Sequence, residues 1–126
     1  MKIRIRENSI RLRLTQGEVV SFNQNGFFEQ TCTFGPEAGN RLIYRLEKSK
    51  NLKEPNAQIE DGKITVFLPE NDATHWAGGD EVGIDYTKYQ DRPEELRILV
   101  EKDFQCLKPR LEEDESDNFP NPQSLS

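Results

Sequence analysis

The fold is decided by residues 2–14, KIRIRENSIRLRL, in which charged and aliphatic side chains alternate along the chain. Alternation with a period of two is typical of a half-buried β-strand, whose successive side chains point to opposite faces of a sheet. The pattern is interrupted at Glu7-Asn8, where a two-residue turn fits. The segment therefore predicts a β-hairpin with one aliphatic face towards a core and one cationic face.

The same pattern returns 54 residues later without a gap. Residues 56–68, NAQIEDGKITVFL, alternate in the same way, and Asp61-Gly62 is a strong signal for a hairpin turn. Most of the identical pairs at this offset fall where a core residue is expected, which indicates an internal duplication. These pairs are Ile5/Ile59, Ile10/Ile64, Leu14/Leu68, Thr33/Thr87, Leu42/Leu96, Glu47/Glu101 and Lys48/Lys102.

A short helix is predicted after the second strand of each copy. In the first copy, Thr15 and Glu18 have the spacing of a capping box, and Gly26 stops the helix. In the second copy, Asp72 is the expected N-cap and Gly78-Gly79 the stop. The residues expected to face the core are Val19 and Phe22 in the first helix and Ala73 and Trp76 in the second.

Each copy therefore reads strand–strand–helix–strand–strand, with repeat units at about residues 2–48 and 56–102. We predict a single α+β, mostly β domain over residues 1–110. Its two duplicated units would form an antiparallel barrel or sandwich with two short helices, which buries the inward faces and protects the edges. Residues 111–126 carry five anions and no cation, so they are predicted to form an acidic C-terminal tail.

Composition and charge argue against several classes of function. The chain has 126 residues, of which 33% are hydrophobic, and its formal net charge is -6. No apolar run approaches the roughly 18 residues needed to span a bilayer, and the start MKIRIRE has no signal-peptide core. With only two cysteines, far apart, we expect a cytoplasmic protein with no membrane association. Net acidity also disfavours nucleic acid as a partner.

The cationic face of the first hairpin is the main functional signal. Like charges on neighbouring strands repel unless an anion lies between them, and arginine suits forked contacts with phosphate or carboxylate. The candidate anion-binding residues are Lys2, Arg4, Arg6, Arg11 and Arg13. The alternative interpretation is a solvated face whose charges are neutralised by Glu47, Glu101 or the acidic tail.

The second copy lacks this row of cations. At the offset of 54, the four arginines are replaced by Gln58, Glu60, Thr65 and Phe67. Any anion site should therefore be single. We also expect the acidic tail to return across the basic hairpin, because Phe119 within NFPNP is an apolar residue that could anchor it.

Cys106 is a candidate reactive thiol, because three basic residues lie close to it in the sequence and would favour the thiolate. The only histidine available as a base is His75, whereas Cys32 shares strand parity with Phe34 and is expected in the core. One histidine and two distant cysteines make no zinc spacing, so we expect no metal and no cofactor. A small enzyme that uses Cys106 or a carboxylate at a barrel mouth is the alternative to a binding module.

The start of the chain, MKIRIRENSIRLRLT, and its end, LVEKDFQCLKPRLEEDESDNFPNP, resemble a small bacterial family of conserved hypothetical proteins, a domain of unknown function. The resemblance covers most of the chain, implies a small cytosolic protein, and supplies no site residues. NSIRLRLT and GGDEVGIDY are also loosely similar to AbrB-type swapped-hairpin DNA-binding domains, which would imply a fused pair. We favour a non-catalytic binding or interaction module for an anionic ligand or a protein partner.

Overall fold

The structure is a computed structural model that describes residues 1–104 and 116–122. The predicted reactive thiol of Cys106 and four of the five carboxylates of the acidic tail lie outside the described residues. In the described part, the elements are β1 (Lys2–Arg6), β2 (Ser9–Leu14), α1 (Gln16–Asn25), β3 (Phe27–Thr33), β4 (Arg41–Ser49), β5 (Asn56–Glu60), β6 (Lys63–Pro69), α2 (Glu70–Gly78), β7 (Gly83–Lys88) and β8 (Leu96–Lys102).

The strands form two four-stranded sheets that enclose the core between them as a sandwich. The first sheet has the order β1-β2-β8-β7 and the second β5-β6-β4-β3. Each sheet thus combines the first hairpin of one unit with the second hairpin of the other. The duplicated α+β sandwich is confirmed.

Two details of the predicted architecture need correction. No closed barrel forms, because each sheet ends in two edge strands instead of joining the other. The pairing is also mixed and not wholly antiparallel, since the two inner pairs, β2 with β8 and β4 with β6, are parallel. The reason is the hairpin exchange, which places the second strand of one unit beside the fourth strand of the other in the same direction.

The register of the inner strand pairs shows the duplication directly. Ile10 lies opposite Ile98 in the first sheet, and their equivalents at the offset of 54, Ile64 and Tyr44, lie opposite each other in the second. Equivalent residues therefore occupy equivalent places in the two sheets, related by a pseudo-twofold axis.

The third strand of each unit departs from the constant offset. Leu46 lies opposite Phe28, whereas its equivalent Val100 lies opposite Ile84, two residues further along than the offset of 54 requires. The Thr33/Thr87 identity is therefore not a structural equivalence. The shift arises because the connection from α2 to β7 is longer than the connection from α1 to β3.

The core is closed by the two helices, which meet where β2 and β6 end. Phe22 of α1 and Trp76 of α2 are fully buried, and their ring centroids lie 6.1 Å apart in an edge-to-face contact. The Trp76 indole also donates a hydrogen bond to the Val82 carbonyl at 3.3 Å, so its polar atom is satisfied. The other fully buried large side chains are Leu12, Leu14, Leu46, Leu68, Ile98, Val66 and Val100.

The helix ends follow the sequence signals in the first unit more closely than in the second. Thr15 accepts a hydrogen bond from the Glu18 amide, and the Glu18 carboxylate accepts one from the Thr15 amide, which is the predicted capping box. Gly26 ends α1 with a φ of 84°, a left-handed conformation that glycine adopts without strain. The predicted Asp72 cap is wrong, because α2 already begins at Glu70, directly after Pro69.

The expectation that Cys32 is buried is also wrong. Strand parity is correct, since Cys32 follows Phe28 and Gln30 on the same side of β3. The strand nevertheless runs on beyond the core, so that Cys32 is exposed and Phe34 is 73% exposed. Parity predicts the face of the sheet, but not how far the opposite sheet extends.

Candidate anion-binding site

The five cations predicted from the first hairpin lie together on the outer face of the first sheet. Arg4 of β1 lies opposite Arg11 of β2, and Lys2 lies opposite Arg13. Aliphatic residues occupy the intervening inner positions, as the alternation predicts. Strand β8 contributes a further cation, Arg97, which lies beside β2 through the parallel pairing.

Four arginines surround a cavity of about 290 Å³ on this face, which we call the arginine pocket. Its lining residues are Arg4, Arg6, Arg11, Arg97, Ser9 and Leu99. Ser9 lies opposite Arg6 on one side and opposite Arg97 on the other. Because serine is much shorter than the arginines around it, the pocket opens above Ser9.

Two of the four arginines have a carboxylate neighbour. Arg11 Nε lies 2.8 Å from Glu101 Oε1, an ionic contact in which the N–H is not aligned as a hydrogen bond. Arg97 donates two hydrogen bonds to Asp85, at 3.1 Å from Nε and 2.8 Å from Nη2. The hydrogen bonds from Arg97 lower the pKa of the Asp85 carboxyl, although partial burial opposes the shift.

Arg4 and Arg6 have no carboxylate partner among residues 1–104 and 116–122. Their charges therefore add to those of Arg11 and Arg97 without local compensation. The Ser9 hydroxyl donates to the Arg6 carbonyl at 2.7 Å, which leaves the serine oxygen as an acceptor. The arrangement offers many N–H donors and an excess of positive charge to an anion in the pocket.

The alternative interpretation, in which ion pairs neutralise the cationic face, holds for part of the hairpin only. Lys2 Nζ lies 3.2 Å from Asp103, and Glu101 pairs with Arg11, as that interpretation expected. Glu47 does not take part, because it lies on the second sheet and pairs there with Arg45 at 2.7 Å. Within residues 1–104 and 116–122, neutralisation thus reaches Lys2 and Arg11 but not the arginines of β1.

The described part of the tail docks at the Lys2 end of the hairpin, where β2 ends and α1 begins. The Asp117 carbonyl accepts a hydrogen bond from the Gln16 amide at 3.0 Å, and its carboxylate accepts from the Gly17 amide at 3.3 Å. Phe119 donates its amide to the Asp103 carbonyl at 2.7 Å and packs against Phe104. Phe119 is therefore an anchor, as expected, but residues 116–122 do not cover Arg4 or Arg6.

The equivalent face of the second sheet carries a different set of side chains. Its cavity, of about 500 Å³, is lined by Gln58, Glu60, Lys63, Thr65, Ile43 and Arg45 at the six positions equivalent to the arginine pocket. Arg45 contacts Glu47 and Glu29, and its guanidinium lies 3.9 Å from the centre of the Phe27 ring. Lys63 lies 3.2 Å from Glu29, so both cations that line this cavity have carboxylate partners.

The pKa of Glu29 reflects its ion pairs with the cations of the second face. Partial burial would raise the pKa of this carboxyl. Hydrogen bonds and charge from Lys63 and Arg45 outweigh burial, and the pKa is lowered. An anion that approached this face would have to displace carboxylates already in place.

Sequence reasoning missed Arg97 and Ser9 as parts of the pocket. Arg97 belongs to the other repeat unit, and its contribution depends on the parallel pairing of β8 with β2. Alternation along β8 could have predicted that Arg97 points outward, because it precedes the buried Ile98. That Arg97 lies beside Ser9 of β2 follows only from the exchange of hairpins between the two sheets.

The groups considered for catalysis are not assembled in the described residues. His75 is 75% exposed on α2, where its Nε2 lies 2.8 Å from Glu81 Oε1. Among residues 1–104 and 116–122, no cluster of three histidine, cysteine or acidic side chains is placed to hold a metal ion. No helix of this part of the chain is long and apolar enough to cross a membrane.

Comparison with known proteins identifies the family but no activity. No curated protein and no solved structure matches the chain. The model of a family of unknown function, DUF7009, matches residues 1–123, which is nearly the whole sequence. The chain therefore belongs to this family of unknown function.

Proposed function

We propose that this protein is a non-catalytic binding module that holds a compact anion in the arginine pocket. The observation that carries the proposal is the pair Arg4 and Arg6, which lack a carboxylate partner in the described residues and face two further arginines across Ser9. Like charges opposite each other on neighbouring strands cost stability. A bound oxyanion removes that cost and accepts forked hydrogen bonds from the guanidinium groups.

The borders of the pocket favour a compact anion over a nucleic acid strand. Asp85 lies on the β7 side, and Glu101 and Asp103 lie towards the end of β8. A polyanion that ran along this face would meet these carboxylates after a short distance. No aromatic side chain of the described residues lines the pocket, so they offer no surface on which bases could stack.

We place this activity in the cytoplasm of a bacterium. Exposed Cys32 is a free thiol, which suits a reducing compartment. The bacterial source rests on the resemblance of the two chain ends described above.

Calorimetric titration with inorganic phosphate and with pyrophosphate, at low ionic strength, tests the proposal. We expect one site per chain. Arg4→Gln and Arg6→Gln should each weaken binding roughly ten- to hundredfold, because a hydrogen bond to a charged group contributes about 1.5–3 kcal/mol. Without anion, both variants should melt at the same temperature as the parent or slightly higher, since like-charge repulsion is reduced.

Arg41→Gln is the matched control, because Arg41 is exposed on the second sheet and its loss changes the net charge by the same amount. It should leave binding nearly unchanged. Equal losses in all three variants would show that the anion responds only to overall charge. Absence of binding to the parent protein with both anions would reject the proposed function.

A further inference from the structure

An apolar cleft of about 200 Å³ adjoins the arginine pocket. It lies at the end of the sandwich away from the helices, between the turns of the β1–β2 and β5–β6 hairpins. Its aliphatic lining residues are Ile5, Ile10, Ala57, Ile59, Ile64 and Leu96. Ile5 is 61% exposed and Ile59 75% exposed, which is unusual for large aliphatic side chains on strands that pack on a core.

The duplication builds this cleft from equivalent parts of the two units. Ile5 and Ile59 are equivalent, and so are Ile10 and Ile64. The four isoleucines of the lining are therefore related by the pseudo-twofold axis, whereas the equivalents of Ala57 and Leu96 do not line the cleft. The charge beside it is not symmetric, since Arg4 and Arg6 of the first hairpin correspond to Gln58 and Glu60 of the β5–β6 hairpin.

The pocket and the cleft share one lining residue, Ser9, at the edge of the first sheet. Strand β1 alternates between them, because Arg4 and Arg6 point to the outer face and Ile5 points towards the space between the sheets. Ser9, next to the hairpin turn, lines both cavities. One ligand can therefore place a charged group above Ser9 and an apolar group against Ile5 and Ile59.

Building on the proposed function, we infer that the ligand is an amphipathic anion, a phosphate monoester with a small apolar group. The phosphate lies in the arginine pocket and the apolar group in the cleft. A phosphate monoester offers three terminal oxygens and a charge near -2, which matches several guanidinium groups better than the two oxygens of a carboxylate.

The volume of the cleft sets the size of the apolar group. An apolar cavity of about 150 Å³ accommodates benzene, so a cleft of 200 Å³ suits roughly six to eight carbon atoms. The affinity of alkyl phosphates should rise roughly two- to fourfold per methylene, the upper value corresponding to full burial. The rise should stop at about eight carbons, where the cleft is filled.

Titration with inorganic phosphate and with butyl, hexyl, octyl and decyl phosphate, below their micellar concentrations, tests the inference. Hexyl phosphate should bind at least tenfold more tightly than inorganic phosphate, and hexanol should not bind measurably. If the alkyl phosphates bind no more tightly than inorganic phosphate, the inference is overturned while the arginine pocket stands. An affinity that keeps rising beyond eight carbons would indicate partition onto a surface and would also overturn it.

Ile59→Ser tests the cleft without changing the arginine pocket. Because the Ile59 side chain is largely exposed, the substitution should not prevent folding. It should weaken hexyl phosphate binding roughly five- to tenfold and leave inorganic phosphate binding unchanged. Arg6→Gln should weaken both. Phe34→Ser is the control, because Phe34 is equally exposed but does not line the cleft, and it should change neither.

The binding results for these variants distinguish a failure of the cleft from a failure of the arginine pocket. Hexyl phosphate binding that is insensitive to Ile59→Ser overturns the role of the cleft. Hexyl phosphate binding that depends on Ile59 but not on Arg6 shows that its charged group lies outside the arginine pocket, which overturns the inference. The proposed function is decided separately, by the effect of Arg4→Gln and Arg6→Gln on inorganic phosphate binding. Loss of inorganic phosphate binding in Ile59→Ser would show that the variant disturbs the pocket itself, and Ile59→Thr would then repeat the test with a smaller change of shape.

Discussion

The outer faces of the two sheets occupy equivalent places in a duplicated framework, yet their charges are organised differently. On the first face, Arg4 and Arg6 lie beside two further arginines and have no carboxylate partner in the described residues. On the second face, the equivalent residues are Gln58 and Glu60, and the nearby cations are paired with carboxylates. The backbone register is the same for the strands that line the two cavities, β1, β2 and β8 in the first sheet and β5, β6 and β4 in the second.

This difference shows that the interior residues, which stabilise the fold, are alike in the two units, whereas the residues of the outer faces have diverged. The interior positions of the two units carry similar side chains, because a change of volume in a packed core costs several kcal/mol. Substitutions on an outer face usually cost about 0.5 kcal/mol or less, so one face can acquire a ligand site without affecting the framework. The proposed function would account for Arg4 and Arg6, which have no carboxylate partner among residues 1–104 and 116–122.

The prediction with the largest expected effect is that equivalent core residues of the two units contribute equally to stability. Phe22→Ala and Trp76→Ala should each lower the free energy of unfolding by about 3–5 kcal/mol, because both rings are fully buried and leave a cavity. Urea denaturation monitored by circular dichroism measures the loss. A loss below about 1 kcal/mol at either position would contradict the equivalence of the two helices in the core.

Two further variants keep this test interpretable. Val20→Ala is the control on α1, since Val20 is 54% exposed, and it should change stability by less than about 0.5 kcal/mol. Trp76→Phe substitutes the residue type that the first unit uses at this position. It should cost less than Trp76→Ala, and it remains measurable if either alanine variant fails to fold.

A smaller effect should distinguish the two helices, because only α1 receives the described tail segment. Phe119→Ala should lower the free energy of unfolding by about 1–3 kcal/mol, less than a fully buried phenylalanine, since Phe119 is partly buried. The amides of Gln16 and Gly17, which donate to Asp117, should then exchange faster with solvent. Amides at the start of α2 should be unaffected, and Phe34→Ala is the exposed control.

Unchanged exchange at Gln16 and Gly17 in Phe119→Ala would show that the tail is held by Asp117 alone. Asp117→Ala would then be the variant that releases it. Either result defines which contact anchors the segment to the first unit.

The smallest effect concerns the carboxylates of the two outer faces. The pKa of Asp85 is lowered chiefly by hydrogen bonds from Arg97, and that of Glu29 is lowered by Lys63 and Arg45 against the effect of burial. A carboxyl whose folded pKa is below its unfolded value of about 4 stabilises the fold above that value. This stabilisation is lost as the pH falls through the folded pKa.

Carbon-detected NMR titration of the carboxyl groups measures both values. Arg97→Gln should raise the pKa of Asp85 and leave that of Glu29 unchanged, and Lys63→Gln should do the reverse. Because the groups of these pairs remain partly exposed to solvent, each pair should contribute less than about 1 kcal/mol to stability. A shift of both carboxyls in one variant would mean that the faces are electrostatically coupled.

Much of the architecture was determined by the sequence by itself. Alternation in residues 2–14 and 56–68 specified the hairpins and the face of each side chain, because a strand has a period of two whatever it pairs with. The capping box at Thr15 and the left-handed Gly26 specified the ends of α1 for equally local reasons. The constant offset of 54 revealed the duplication, and with it the absence of a second row of arginines.

Only the tertiary structure decided which hairpins share a sheet, and with that the composition of the arginine pocket. Arg97 joins the cations of the first hairpin because the units exchange hairpins, a choice made by burial across the whole core and not by any local signal. The same applies to exposed Cys32, which depends on how far the opposite sheet extends. It also applies to the two-residue shift in β7, which accompanies the longer connection from α2. Local periodicity and turn chemistry act over a few residues, whereas strand pairing is settled by contacts between residues far apart in the chain.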